Sequence, residues 1–186
     1  MRPAIVAAPG SEGGESGSDR LVVSTTVNCH PYVGEIPTQE LLIDFLRDRL
    51  GLTGTKRSCD IEVCGSCTIL VDGLGVSACT TLALEAEGAK VTTVEGMTVD
   101  DQLGDVQRLL VEADALQCGF CTPGFVMTIQ SLVNEMPDAT YDQVVEYLSG
   151  SICRCTGYRG LVDAAWHALG HDTVKGVEGW SVDATR

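Results

Sequence analysis

Apolar and polar positions alternate with a period near two in the first half of the chain and recur every three or four residues in the second. Residues 21–27 are β-rich, and a turn-like stretch at 28–31 leads to a second extended run at 32–36, which together predict a β-hairpin. Thr38 is a candidate cap for a helix running to Leu50, with Leu41, Leu42, Phe45, Leu46 and Leu50 on one face and Gly51 ending it. Asp72-Gly73, between the extended runs 68–71 and 75–78, signals another hairpin, and residues 90–94 supply one more strand.

After Gly96 the apolar spacing turns helical, which marks a candidate domain boundary. Residues 98–101 resemble a capping box opening a helix that buries Leu103, Val106, Leu109 and Leu110. Thr122-Pro123 opens a second helix through Phe125, Val126, Ile129, Leu132 and Val133, and Pro137 stops it. Thr140 with Gln143 caps a third, ending at Gly150; Leu161, Val162, Ala165, Trp166 and Leu169 define a fourth, closed by Gly170. The expected division is a flexible Gly/Ser/Glu-rich leader at 1–19, a sheet domain at 20–96, a domain of four short helices at 97–170 and a polar tail at 171–186.

With 186 residues and 44% hydrophobic composition, the chain suits one ordinary domain or two small ones. Its net charge of −14 argues against nucleic acid or an anionic membrane surface as a partner, and it fits either plain solubility or an acidic face for a basic partner. No stretch reaches the roughly 18 consecutive apolar residues of a membrane span, and the N-terminal apolar run is too short for a secretory signal core. The expectation is a cytoplasmic protein. Nine cysteines in a reducing compartment then call for metal ligation rather than disulfides.

Cys59, Cys64, Cys67 and Cys79 form C-x4-C-x2-C-x11-C, whose first three members carry the plant-type ferredoxin spacing. A [2Fe–2S] cluster needs four thiolates around two irons, and the loop 58–67 is long enough to wrap it, with Gly65 allowing close backbone approach. The second set is Cys118-x2-Cys121 and Cys153-x-Cys155, each pair next to the start of a predicted helix and separated by 31 residues. Zinc is the alternative for both sets, since it too accepts four cysteines. The C-x-C pair and the x4 spacing fit it poorly, and Cys29 stands apart as a plain small thiol in or near a core.

Lys56, Arg57, Arg154 and Arg159 lie beside the cysteines, either offsetting cluster charge or simply solvated. His30, His167 and His171 show no ligand partnership, and there is no GxGxxG loop, phosphate-binding loop or nucleophile elbow.

The segments Leu46-Arg47-Asp48, Cys64-Gly65-Ser66-Cys67-Thr68, Gln117-Cys118-Gly119-Phe120-Cys121-Thr122-Pro123-Gly124 and Cys153-Arg154-Cys155-Thr156-Gly157-Tyr158 resemble the iron–sulfur subunit of the xanthine dehydrogenase family of molybdenum hydroxylases. The resemblance covers roughly residues 21–170. It implies an α+β fold, with an N-terminal plant-type ferredoxin (β-grasp) domain followed by a C-terminal four-helix bundle, each with one [2Fe–2S] cluster.

It further implies a large molybdopterin-binding partner and a medium FAD-binding partner in a hetero-oligomer, a dimer of heterotrimers being one arrangement. Association with the inner face of a membrane would run through those partners. Electrons would run from molybdenum through the site of Cys118, Cys121, Cys153 and Cys155 to that of Cys59, Cys64, Cys67 and Cys79, and on to FAD, with no catalytic residue in this chain. Gln117 would contact the pterin, with Cys155 the nearest thiolate to it; an ordinary polar residue at a helix start is the other reading of Gln117.

Three departures stand out: Ser58 for Gly, Ser66 for Ala, and Asn28-Cys29 for Asn-Gly, the last putting a tight first turn in doubt. A stand-alone [2Fe–2S] carrier and a zinc-stabilised module remain as rivals. The substrate stays open among purines, aldehydes, N-heteroaromatic rings and carbon monoxide.

Overall fold

The computed structural model describes residues 19–98, 100 and 102–171. The expected leader and tail therefore lie outside the described residues, except for Asp19 and His171. The chain is α+β, with a five-stranded mixed sheet in the order β2-β1-β5-β3-β4 and helices concentrated in the second half.

Strands β1 (Arg20–Val27) and β2 (His30–Pro37) pair antiparallel through a two-residue turn. That turn is tight although it lacks glycine, with Asn28 and Cys29 at φ 49° and 65°. Asn28 tolerates this conformation because its side chain is fixed at both ends: Nδ2 donates to Thr93 Oγ1 at 2.9 Å, and Oδ1 accepts the Thr93 N–H at 2.9 Å. Within β1 the buried residues alternate as Val23, Thr25 and Val27, which is the period of a strand with one face on a core.

The first helix is shorter than its apolar stripe predicts. Thr38 does not cap it: the Thr38 N–H goes to the Asp19 carbonyl, and Leu41 forms a β-bridge with Leu82. Helix α1 spans Leu42–Asp44 and widens into a π-helical turn, Phe45–Arg49. Leu42, Ile43, Phe45 and Leu46 are buried against the sheet, and Phe45 meets Tyr32 edge-to-face at 4.9 Å.

Strands β3 (Thr68–Val71) and β4 (Leu74–Ser77) form the second hairpin, turned by Asp72 and Gly73, both at positive φ. Strand β5 (Lys90–Thr92) joins β1 in parallel and β3 antiparallel. Neighbouring residues of β3 serve different cores: Ile69 packs with α1 and the sheet, whereas Leu70 packs with the helices. This is the strand period of two applied to a sheet covered on both faces.

Helices α2 (Asp105–Glu112), α3 (Thr122–Glu135), α4 (Tyr141–Leu148) and α5 (Tyr158–Ala168) follow. The start of α2 lies several residues beyond the expected capping box: Gln107 caps Gly104 instead, and Leu103 is exposed. Val99 and Asp101 of that box lie outside the described residues. Thr140 and Gln143 do cap α4 reciprocally, and Pro123 sits in the first turn of α3.

Helix α3 is buried nearly all round because it packs on β3 and β4 on one side and on the other helices on the other. Its Ser131 is fully buried, accepts the Gly75 N–H at 2.7 Å and donates to Glu135 at 2.6 Å, while the Tyr147 hydroxyl donates to the same pair. This polar knot joins β4, α3 and α4. Ser131→Ala strips the acceptor from a half-buried backbone N–H, and a loss of about 1–3 kcal/mol in urea unfolding is expected. A change within error would show that the knot contributes nothing.

Candidate metal centres

The segment between α1 and β3 carries no regular structure and is shaped by specific bonds. Arg47 Nη1 donates to the Thr53 and Thr55 carbonyls at 3.0 and 2.7 Å, and the Lys56 N–H reaches the Ser66 carbonyl at 3.2 Å. Asp60 and Glu62 both take positive φ, 56° and 59°, an arrangement that turns successive N–H groups to one side. Those of Ile61, Val63 and Cys64 point at the Cys59 sulfur and bring its pKa down to about 6.

The other two cysteines of this set are presented by the β3–β4 hairpin. Thr68 pairs with Ser77, and the Ala78 N–H bonds to the Cys67 carbonyl, so Cys67 and Cys79 leave the ladder side by side. Their thiols are hydrogen-bonded to each other, as are those of Cys59 and Cys64, and Cys64 lies close enough to Cys67 to interact electrostatically. Burial, opposed by the Cys79 N–H, pushes the Cys67 thiol up to about 12. Four sulfurs thus meet as two pairs.

The second set repeats this arrangement with helix ends. Cys121 is the N-cap of α3, and Cys153 and Cys155 precede α5. The thiol contacts pair Cys118 with Cys155 and Cys121 with Cys153, and cross-interactions link the pairs. N–H groups of this set also reach sulfur: that of Phe120 lowers the exposed Cys118. Burial pushes Cys121 up to about 12. Cys153 is raised by burial, but the N–H groups of Gly157, Cys155 and Thr156 and the Cys121 thiol bring it down on balance.

The paired donor set bears on whether one metal or two would fit. A single zinc needs four sulfurs about one point. Two pairs of thiols, with backbone N–H groups aimed at sulfur, instead fit a two-iron unit in which each iron takes two protein sulfurs.

The remaining candidates lie as follows. Gln117 is exposed, and its Nε2 stands 3.5 Å from where a side chain on Gly157 would begin, so it lies over the turn before α5. Arg57 is held by Asp44 and Asp60, and Arg159 by Asp163, so carboxylates take up much of the charge they would offer a cluster. Lys56 donates to the Thr53 carbonyl, while Arg154 is exposed between two cysteines. Cys29 belongs to neither set, but it is exposed rather than in or near a core because it lies in the two-residue turn between β1 and β2; Ser58 is exposed, and Ser66 is buried. His30 Nδ1 lies 2.7 Å from the Asn28 carbonyl, and His171 stacks on Trp166.

Sequence reasoning missed what joins the two sets. The Ile152 N–H bonds to the Cys64 carbonyl at 2.9 Å, linking the neighbour of one cysteine directly to another. A Cβ on Gly124 would sit 2.3 Å from the Gly65 carbonyl, and one on Gly65 would sit 2.4 Å from Ser151 Oγ. Only the glycines themselves, inside the cysteine motifs, hinted at so close an approach.

Fold and sites together point to the iron–sulfur proteins, with eight cysteines gathered in two sets of four. Residues 51–116 match a 2Fe-2S iron-sulfur cluster binding domain, and residues 93–166 a [2Fe-2S] binding domain. Among similar proteins, the 6-hydroxypseudooxynicotine dehydrogenase complex subunit beta of Paenarthrobacter nicotinovorans is 45% identical, over 82% of this chain and 97% of that one. The nicotine 6-hydroxylase small subunit of the same organism is 43% identical over 83% and 93%. The crystal structure of quinoline 2-oxidoreductase from Pseudomonas putida 86 has a chain that superposes with a TM-score of 0.76 at 44% identity, over 81% of this chain and 93% of that one. The chain belongs to the iron–sulfur subunits of the xanthine dehydrogenase family of molybdenum hydroxylases.

The thiol pKa values give a test in iron-free protein. Cys59, brought down to about 6, is thiolate at pH 7 and loses reactivity as pH falls through 6, whereas buried Cys67 and Cys121, near 12, stay protonated. Because the folded value of Cys59 is depressed, its contribution to stability is present above the unfolded thiol pKa and lost as pH falls through 6. Mass-mapped iodoacetamide labelling at pH 7 should modify Cys59 and Cys118 before Cys67 and Cys121. Equal rates at all four would contradict the geometry.

Proposed function

We propose that this chain is the electron-transfer subunit of a molybdenum-containing hydroxylase or dehydrogenase, with one [2Fe–2S] cluster held by Cys59, Cys64, Cys67 and Cys79 and a second by Cys118, Cys121, Cys153 and Cys155. The sheet half, residues 20–96, is then a plant-type ferredoxin domain, and residues 97–170 a four-helix-bundle domain. When bound, each cluster takes up and gives back one electron. The chain's own residues hold the eight sulfurs, aim N–H groups at them and keep the two sites together.

The observation that carries this reading is the connection between the sites. A protein that moved single electrons to and from one partner would need only one of them. Here the Cys64 carbonyl and the Ile152 N–H join two complete thiol sets through one hydrogen bond, with Cys153 the next residue. Such a link suits electrons that enter at one site and leave at the other.

The surfaces favour different partners at the two ends. Leu116, Phe120, Ile152 and Tyr158 are exposed around Cys118 and Cys155, and Gln117 lies among them; in this reading they meet the molybdopterin-binding subunit. Ile61 and Val63 are exposed between Cys59 and Cys64, where the FAD-binding subunit would dock. Among the described residues no helix is long and apolar enough to cross a membrane. The relatives named for nicotine and quinoline favour an N-heteroaromatic substrate for the assembled enzyme.

Purification from the native host without tags on the partners tests the assembly. The chain should emerge with a molybdopterin-binding subunit, and the two four-thiolate sites should give about four iron and four inorganic sulfide per chain. Emergence alone, fully loaded and able to reduce an acceptor without molybdenum, would establish the stand-alone carrier instead. Within the complex, Cys64→Ser should abolish one of two paramagnetic [2Fe–2S] signals and leave the other. Gln117→Ala should keep both signals while slowing reduction of the clusters by substrate or weakening assembly; unchanged rates and assembly would remove Gln117 from the pterin contact.

A further inference from the structure

The loop from Cys153 to Gly157 wraps its own first residue. Thr156, a β-branched residue, is held at φ 61°, a conformation such side chains rarely adopt. Its N–H reaches the Cys153 carbonyl at 3.2 Å, and the N–H groups of Cys155, Thr156 and Gly157 face the Cys153 sulfur. The Cys153 N–H is turned the other way and donates to the Tyr158 hydroxyl at 2.9 Å. Tyr158 is fixed in turn by its place at the start of α5 and by an edge-to-face contact with buried Phe125, ring centroids 6.5 Å apart.

We propose that Tyr158 is a positioning residue for the second cysteine set: its hydroxyl accepts the Cys153 N–H and so holds loop 153–157 in its left-handed turn around the Cys153 sulfur. Cys153 is buried, so its N–H has little access to water and needs a protein acceptor. Without that acceptor, rotation of the loop both satisfies the N–H and releases Thr156 from its strained conformation. The same rotation withdraws N–H donors from the sulfur. Such donors favour the more negative, reduced state of a cluster, so their loss lowers its reduction potential.

This inference rests on the reading of Cys153 as a cluster ligand. The test is an EPR-monitored redox titration of the iron-loaded complex carrying Tyr158→Phe, which removes the hydroxyl and keeps the ring. The expected result is a lowered midpoint and altered g-values for the cluster at Cys118, Cys121, Cys153 and Cys155, with the other cluster unchanged. A fully loaded variant with an unchanged or raised midpoint overturns the proposal.

If the Phe variant fails to load, 3-fluorotyrosine at position 158 retains the hydroxyl as a weaker acceptor. It should produce a smaller downward shift, and no shift overturns the proposal. Failure of the ligand reading looks different: the wild-type protein itself would then hold a single two-iron unit.

Discussion

The hydrogen bond from the Ile152 N–H to the Cys64 carbonyl holds the two halves of the molecule at the point where their chemistry meets. One side of it belongs to a cysteine of the first set, and the other to the residue before a cysteine of the second. Its length leaves no room for side chains between the loops, which explains the glycines around it. Gly124 at the start of α3 lies against the Gly65 carbonyl, and Gly65 lies against Ser151. The Ser131 knot and the Asn134 bond to the Gly73 carbonyl repeat the attachment further along α3.

Each half solves the problem of collecting four sulfurs with the elements it has. The sheet half places two cysteines at the open end of a hairpin and two in a loop whose left-handed residues turn N–H groups inward. The helical half uses the N-cap of α3 and the turn before α5. In both, the sulfurs meet as pairs and some are buried where a neutral thiol is favoured over a thiolate. In the proposed reading, iron binding displaces protons from Cys67 and Cys121, so loading is favoured by rising pH.

Much of this was legible in the residues. The spacing of Cys59, Cys64 and Cys67 is local geometry, and Thr140 with Gln143, Pro123 and Asp72-Gly73 are local signals that the structure obeys. Tertiary bonds decided the misses. Thr38 has the chemistry of a helix cap, but its N–H is taken by Asp19 and the following residues extend to bridge Leu82. The turn at Asn28-Cys29 lacks its glycine and forms all the same, because Asn28 is held by Thr93, 65 residues away. The pairing of Cys118 with Cys155 and of Cys121 with Cys153 could not be read from spacing, since it depends on how α3 and α5 enter the core. Nor did the C-R-C-T-G-Y motif reveal that its tyrosine holds the backbone of its first cysteine.

Anomalous diffraction at the iron edge from the loaded protein shows how the thiolates divide between irons. The expected result is two iron positions in each set, with Cys59 and Cys64 on one iron and Cys67 and Cys79 on the other, and with Cys118 and Cys155 sharing an iron across from Cys121 and Cys153. A single metal position within either set, or a different division of the thiolates, would contradict it.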